Sequence, residues 1–436
     1  MSPQQDKLPC ERENPPASTG PCWRQFFLIP TDLLSVLAFS VAIRVAILFF
    51  FAGGLTQDPD HYRALADNLC SVGVFGSGNQ PTAYRPPLYP LLLYFVSLGQ
   101  PITPWCVGVF HLLLGVATTG CSYFLAQSWK LGNRSWLAAC LVACDPILLR
   151  QSTQVMTETL ATLCAVVCLL CLARAGEKGK PVDTILTGVV LGLACLCRTS
   201  FLAYVCLVIP VLVCFPAKRN RWKILLEFSL GFCLVLLPWG LRNMACFGRP
   251  IIATTHGGYT LRLGNNPTYY EFLRQRRWGE TWDVAGTLPD HRSAASEIDY
   301  DRTNYRAAWQ CIRQQPANAA YACLVRLGSL WSLVPHPLKN PEPLEERIAR
   351  YTVGIWYFAI YSLILLGLRN PGHPIRQSTW HWGLLLCLSL TAVHCLYWSN
   401  MRMRAPLTPV LALLTVPGIE STLRGRNSPK HNRAVT

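Results

Sequence analysis

The strongest constraint on this chain is a series of long apolar stretches. A helix that crosses a bilayer core needs about 20 largely apolar residues. Runs that reach or approach that length lie at 32–54, 105–128, 135–149, 155–174, 183–197, 200–216, 224–245, 350–368, 380–398 and 404–420. The reading is an all-α polytopic membrane protein with about ten transmembrane helices, of which 135–149 and 183–197 are among the shortest. Charged residues make up 14% of the chain and hydrophobic residues 51%, against roughly 25% charged in ordinary soluble domains. That balance excludes a disordered protein and argues against a soluble multi-domain enzyme.

The net charge of +16 comes from 39 basic residues, of which only eight are Lys. Bases sharing so apolar a chain point to a membrane rather than to nucleic acid. Positive charge marks cytoplasmic loops, and alternate loops carry Lys130 and Arg134, Lys178 and Lys180, then Lys218, Arg219, Arg221 and Lys223. Arg369 and Arg376 follow, then Arg424, Arg426, Lys430 and Arg433. All the Lys except Lys339 fall on this side, which fits both termini in the cytoplasm.

The resulting organisation has five parts: a cytoplasmic tail at 1–31, a transmembrane core at 32–245 with a first outer loop at 55–104, a large extracytoplasmic loop at 246–349, C-terminal transmembrane helices at 350–420, and a basic cytoplasmic tail at 421–436. The first 30 residues lack a compact signal-peptide pattern, so the first apolar run is expected to stay as an anchor. Twenty cysteines mostly sit inside apolar runs, where they act as small hydrophobes. No pair of CxxC motifs has zinc-site spacing. No GxxxxGKS or GxGxxG follows a strand pattern, and no internal repeat of a transporter kind is visible.

The first outer loop reads as two surface helices. Asp58 before Pro59 suits an N-cap followed by the first helical position. Tyr62, Leu65, Ala66 and Leu69 then recur on one face, and Gly73 ends the helix. A Gly/Asn/Pro-rich turn at 76–81 leads to Tyr84-Arg85-Pro86-Pro87-Leu88-Tyr89-Pro90 and a short interfacial run at 91–98. In the second loop, Glu297–Gln315 is predicted helical, and 319–334 is an apolar helix with Arg326 inside it.

Ionisable residues in or at the ends of spans are functional candidates. Asp58, Arg85, Asp145, Glu158, Arg198, Arg242 with Asn243, and Arg402 with Arg404 all fall at the outer ends, while Arg44 and His394 lie within spans. A guanidinium fork matches phosphate oxygens and keeps its charge in a low dielectric. An arginine cluster at this face therefore suits a lipid phosphate. Transfer of a sugar from such a lipid needs fixed positive charge for the leaving phosphate and one carboxylate as base for the acceptor hydroxyl. Each residue also has an ordinary structural use. Asp58 and Glu158 are placed to cap helices. Arg85, Arg198 and Arg242 are placed to anchor at headgroups. Asn265-Asn266-Pro267 is equally a plain turn. Asp60-His61 looks like a metal fragment, but adjacent helical residues point apart.

Six motifs in order resemble the GT-C glycosyltransferases that use polyprenyl-phosphate sugars. The closest group is that of the bacterial dolichyl-phosphate-mannose-protein mannosyltransferase-like enzymes, which includes lipid A aminoarabinose transferases and lipopolysaccharide-core galacturonosyltransferases. The motifs are Asp58-Pro59-Asp60-His61-Tyr62 with Arg85-Pro86-Pro87; Met156-Thr157-Glu158; Leu196-Cys197-Arg198-Thr199; Pro238-Trp239-Gly240-Leu241-Arg242-Asn243; Gly257-Gly258 with Gly264-Asn265-Asn266-Pro267; and Arg402-Met403-Arg404-Ala405-Pro406. The likeness runs from about residue 35 to 420. It implies a GT-C-type bundle, Asp58 as catalytic base with Asp60 as second choice, and Arg85 beside the donor phosphate. It also implies that Tyr62, Glu158, Arg198, Arg242, Asn243, Asn265, Arg402 and Arg404 line the substrate site. Pro59 stands where many relatives have an acid, so the resemblance supports no metal contact there.

The function expected is a multi-pass inner-membrane glycosyltransferase with its active site on the extracytoplasmic face. It would move a sugar from a polyprenyl-phosphate donor to an acceptor hydroxyl with inversion, without a metal. The acceptor is left open among glycan, lipid and protein. Two other classes fit parts of the pattern: a transporter or flippase for lipid-linked sugars, and a polysaccharide polymerase or ligase using diphosphate-linked donors.

Overall fold

The computed structural model describes residues 30–214, 220–275, 282, 296–337 and 341–427. The expected N-terminal tail up to residue 29, Lys218, Arg219, Lys339, Lys430 and Arg433 lie outside the described residues, as do the side chains of Lys178, Arg424 and Arg426.

The described chain is almost wholly helical. In order, the helices are α1 (Thr31–Phe50), α2 (Tyr62–Val72), α3 (Leu88–Val96), α4 (Pro104–Ser128), α5 (Ser135–Ala143), α6 (Pro146–Gln151), α7 (Glu158–Lys178), α8 (Pro181–Cys197) and α9 (Phe201–Cys214). They continue as α10 (Arg221–Phe247), α11 (Gly257–Gly264), α12 (Pro267–Arg274), α13 (Glu297–Gln314), α14 (Pro316–Leu330), α15 (Leu344–Leu368), α16 (His381–Leu396) and α17 (Thr408–Asn427), the last preceded by a 3₁₀ segment at Met401–Leu407. Between α2 and α3, β1 (Gly76–Ser77) and β2 (Gln80–Pro81) form a small antiparallel hairpin with Gly76 opposite Pro81.

Six helical stretches among the described residues are long and apolar enough to cross a membrane: α1, α4, residues 158–176, α10, α15 and Met401–Leu423. The helices α8, α9 and α16 are shorter but apolar. The run at 135–149 divides into α5 and α6. Asp145 takes an extended backbone and caps α6, accepting from Leu148 N at 3.0 Å, with Pro146 at the first helical position. A cap followed by proline ends the preceding helix because proline cannot donate back to it. The helices therefore do not establish a count of ten spans.

The outward faces match a lipid surround. On α10, Leu226, Leu230, Leu234 and Leu241 are each 60% exposed or more, as are Ile355 and Phe358 on α15. Exposed leucines at helical spacing are unfavourable in water and suited to acyl chains. With its long apolar spans, the chain is an integral membrane protein. Inside, α8 and α10 approach closely through glycine: a Cβ on Gly188 would lie 2.2 Å from Phe228 O, and one on Gly231 would lie 2.1 Å from Ile185 O. Small residues permit such backbone contact where dispersion, not hydrophobicity, holds helices together. The main core joins α4, α7, α8, α9, α16 and α17 around Trp129, Leu169, Leu191, Tyr204, Leu386 and Leu413. The second loop has its own core of Leu263, Tyr269, Tyr270, Leu273, Trp282, Cys311 and Ala322.

The buried Arg44 of α1 lies against Gly115 of α4, where any Cβ would collide with the guanidinium. The Arg326 inside α14 is also buried, and it donates from Nε to Cys395 O at 2.7 Å and from Nη1 to Gly264 O.

Candidate active site

The C-terminal ends of α8 and α10 and the N-terminal ends of α7 and the 401–407 segment meet at one end of the bundle, covered by the two large loops. Asp58 lies just before α2. The helix starts at Tyr62, not at Pro59, because His61 takes a left-handed backbone (φ 59°) and becomes the N-cap position. His61 N donates to Asp58 O at 3.1 Å, closing a turn. The Asp58 side chain still reaches the helix, its Oδ2 accepting from Ala64 N at 2.9 Å. Its Oδ1 is buried without a hydrogen-bond partner. Gly73 ends α2 with a positive φ of 75°, as its position suggests.

Arg85 sits between α2 and the second loop. Its Nη2 donates to Asp60 Oδ1 at 2.8 Å, and its Nη1 lies 3.3 Å from His256 Nε2. The guanidinium also lies 5.6 Å from the Tyr62 ring centre and 5.4 Å from that of Tyr84, within cation–π range. The His256 ring is packed between Tyr84 at 4.4 Å and Tyr259 at 5.2 Å. Burial, reinforced by Arg85, holds its pKa well below the ordinary 6.5, so the imidazole is neutral and its lone pair faces the arginine. Burial also pushes the Tyr62 phenol up to about 12, against the opposing pull of Arg85. Asp60, Arg198 and Glu158 act on it as well, which places Tyr62 among all of them.

Glu158 opens α7 and is 1% exposed. Thr157 makes no side-chain cap bond. Instead, Glu158 Oε1 lies between Arg198 Nη1 at 3.4 Å and Arg402 Nε at 3.6 Å. Neither contact has hydrogen-bond geometry. Arg198 Nη1, Arg402 Nε and Glu158 Oε2 are all buried without a hydrogen-bond partner. The cluster thus holds unused donors and an unused acceptor side by side.

The other sequence-predicted residues are tied into the protein. Arg242 Nη1 donates to Thr82 O and Asn243 Oδ1, and Nη2 donates to Phe75 O, all at 2.8 Å. Asn243 donates to Ile251 O at 2.7 Å. Asn265 donates to Leu261 O and Leu396 O at 2.8 Å, and its Oδ1 accepts from Tyr270 OH at 3.0 Å. Arg404 is fully buried, donating from Nη1 to Leu330 O and Ser332 O, with Tyr357 stacked 4.0 Å away. Asp145 completes that knot by accepting from Tyr357 OH at 2.8 Å.

Sequence reasoning passed over His256 and Glu297. His256 heads a glycine run that reads as loop, and Glu297 reads only as the start of a predicted helix. Their roles depend on contacts across 171 and 215 residues. Among the described residues, no group of three or more His, Cys, Asp or Glu side chains is close enough to hold a metal ion.

Residues 84–240 match the sequence profile of the family described as dolichyl-phosphate-mannose-protein mannosyltransferase. The apo oligosaccharyltransferase of Archaeoglobus fulgidus superposes with a TM-score of 0.51 and 14% identity, covering 91% of this chain and 51% of that one. The fold is similar to that of about half of this oligosaccharyltransferase. A second structure of the A. fulgidus enzyme, tethered to an acceptor peptide, gives a TM-score of 0.50 and 14% identity over 90% of this chain and 50% of that one. ArnT from Cupriavidus metallidurans, solved with undecaprenyl phosphate, is more distant: its TM-score is 0.41 at 14% identity, over 89% of this chain and 78% of that one. No curated protein matches the sequence. The chain spans about half the length of the oligosaccharyltransferase it matches. The resemblance read from the motifs agrees with the family profile over residues 84–240 and with the fold of the oligosaccharyltransferase.

Proposed function

We propose that this chain is a membrane glycosyltransferase that moves a sugar from a polyprenyl-phosphate donor to an acceptor hydroxyl. The site faces the extracytoplasmic side of the cell membrane, with both termini in the cytoplasm. The observation that carries the reading is Asp58. One of its oxygens is anchored to α2, and the other is buried and unpaired. A general base needs this arrangement: a fixed carboxylate with a lone pair still available to a substrate proton. The acceptor oxygen, deprotonated by Asp58, attacks the anomeric carbon, and the lipid phosphate leaves from the opposite face. One displacement inverts the centre.

Arg85 receives the phosphate, since its charge is permanent and the neutral His256 does not compete for it. Arg198 and Arg402 add positive charge. Arg242 directs its fork at backbone carbonyls, and Arg404 is fully buried with Nη1 on two of them, so the proposal narrows the phosphate contacts to Arg85, Arg198 and Arg402. Asn243 and Asn265 hold the walls. The Glu158–Arg198–Arg402 cluster favours sugar transfer over bare lipid transport, because a sugar hydroxyl both donates and accepts, and the cluster lacks both kinds of partner.

The test is Asp58→Asn, which keeps the cap to Ala64 and removes the base. Purified protein is incubated with labelled polyprenyl-monophosphate or polyprenyl-diphosphate sugars and a membrane-glycan extract. Transfer from the monophosphate donor, reduced about 10²–10⁴-fold in the variant, is the expected result. Full activity in the variant rejects the base. Transfer from the diphosphate donor alone favours a polymerase or ligase, and lipid movement without bond formation favours a flippase.

A further inference from the structure

The segment that delivers Arg85 is held from outside its own loop. Thr82 N donates to Phe75 O at 3.0 Å across the base of the hairpin. Thr82 O accepts from Arg242 at 2.8 Å, and Ala83 O accepts from Thr255 N at 3.0 Å. The remaining bonds come from Glu297 at the start of α13: Oε2 accepts from Thr82 Oγ1 at 2.7 Å and Oε1 from Ala83 N at 2.8 Å. Tyr84 N donates in turn to Thr82 Oγ1 at 3.0 Å. Two residues beyond Ala83, Arg85 emerges between Asp60 and His256.

Glu297 is not needed to start its helix. Ser296 already caps α13 by accepting from Asp299 N at 3.1 Å. A half-buried carboxylate that binds one hydroxyl and one amide of a distant segment has a tertiary task. We infer that Glu297 is a positioning residue: it fixes residues 82–83 so that the Arg85 guanidinium stays aligned with the donor phosphate. The inference rests on the donor-site reading of Arg85. It makes the second loop part of the donor site, since Glu297, Thr255 and His256 all belong to that loop.

The experiment compares wild type with Glu297→Ala, Arg85→Ala, the double variant and Thr82→Val, which breaks one of the two Glu297 bonds from the other side. Binding of a C55 polyprenyl monophosphate in nanodiscs is measured by tryptophan fluorescence, and amide hydrogen exchange is followed over residues 80–86. Glu297→Ala should weaken binding on the order of tenfold, with Thr82→Val in between. In the Arg85→Ala background, removing Glu297 should change binding less than about twofold, because residues acting through one another are not additive. Exchange over 80–86 should quicken in Glu297→Ala. Independent, multiplying effects of the two substitutions would reduce Glu297 to a general structural residue and overturn the inference. So would wild-type binding in Glu297→Ala. Should wild type itself not bind the monophosphate, the donor reading fails, and unchanged exchange over 80–86 would then reject the positioning role separately.

Discussion

Arg242 and Arg85 stand at the same end of the bundle and look alike in the sequence, yet the fold uses them differently. Arg242 directs its fork at two backbone carbonyls and a neighbouring amide, and it lies among Phe75, Trp239 and Phe247. Arg85 touches a carboxylate and a neutral imidazole, both side chains. The same contrast separates Asn265, whose amide donates to two carbonyls, from the Glu158–Arg198–Arg402 cluster, whose ions meet at 3.4 and 3.6 Å without hydrogen-bond geometry; Arg404 stands between, with Nη1 on two carbonyls and its Nε and Nη2 buried without hydrogen-bond partners. A carbonyl is a fixed acceptor that stays when substrate arrives. Loosely matched ions can exchange partners, at the expense of stability in the unliganded state. One set therefore shapes the site, and the other is available to a ligand.

The largest effect that would sharpen this division is on donor affinity. Arg85→Ala should weaken binding of a polyprenyl monophosphate by about 10–100-fold, the range for losing a charged hydrogen-bonding partner. Its melting temperature should change little. Lys at this position should recover only part, because it lacks the planar fork. Binding at wild-type strength in Arg85→Ala would move the phosphate site elsewhere and break the comparison.

Glu158→Gln probes the same set through stability. Removing one member of a buried ion cluster costs about 3–5 kcal/mol when the remaining charges stay buried. Arg198 and Arg402 keep 14% and 33% side-chain exposure, which favours the lower end. Thermal unfolding in detergent measures the loss. An unchanged midpoint would mean that the two guanidinium groups already reach water or lipid headgroups, and that Glu158 is not their counter-ion.

Arg242→Ala tests the opposite set. It leaves the Thr82 carbonyl without its donor and Phe75 O with the Thr82 amide alone, at about 1–3 kcal/mol for an acceptor that stays dry. Because the site is partly solvated, a total near 2 kcal/mol is expected. Donor affinity should fall only as far as the Arg85 segment loosens, hence less than in Arg85→Ala. A variant that folds normally but has lost donor binding would place Arg242 with the ligand-facing set.

Much of this was legible in the sequence, and the limits have physical causes. Apolar periodicity locates most of the helices, since a membrane span must satisfy every backbone group internally. It misplaces only what local side chains decide. Asp145-Pro146 breaks one predicted span, and the left-handed His61 delays α2 by a turn. The motifs singled out Asp58, Tyr62, Arg85, Glu158, Arg198, Arg242, Asn243, Asn265, Arg402 and Arg404 together, and of these the fold gathers Tyr62, Arg85, Arg198 and Glu158 together with Asp60. What the sequence could not separate is an arginine that binds carbonyls from one that binds ions. Arg242 and Arg198 sit at equivalent span ends, and the distinction depends on Thr82 and Phe75, more than 150 residues away. Asp60 was visible only as the second choice of base; its carboxylate pairs with Arg85.

The smallest expected effect concerns His256. Its folded pKa is depressed, so above the ordinary value of 6.5 neither folded nor unfolded chain carries its proton, and this residue adds no pH dependence. As pH falls below 6.5, the unfolded chain takes up a proton that the folded chain refuses. Stability then falls with decreasing pH, by at most about 1.4 kcal/mol per pH unit. His256→Gln keeps an oxygen that can accept from Arg85 but does not titrate. Between pH 6.5 and 5 its unfolding midpoint should therefore fall less steeply than that of wild type, with every other titrating group common to both. Because the folded imidazole stays neutral over that range, monophosphate binding should change with pH to the same extent in wild type and in His256→Gln. Parallel slopes of the unfolding midpoint in the two proteins would show that the imidazole is solvated in the membrane-bound protein, and would remove it as the neutral partner that leaves Arg85 free for phosphate.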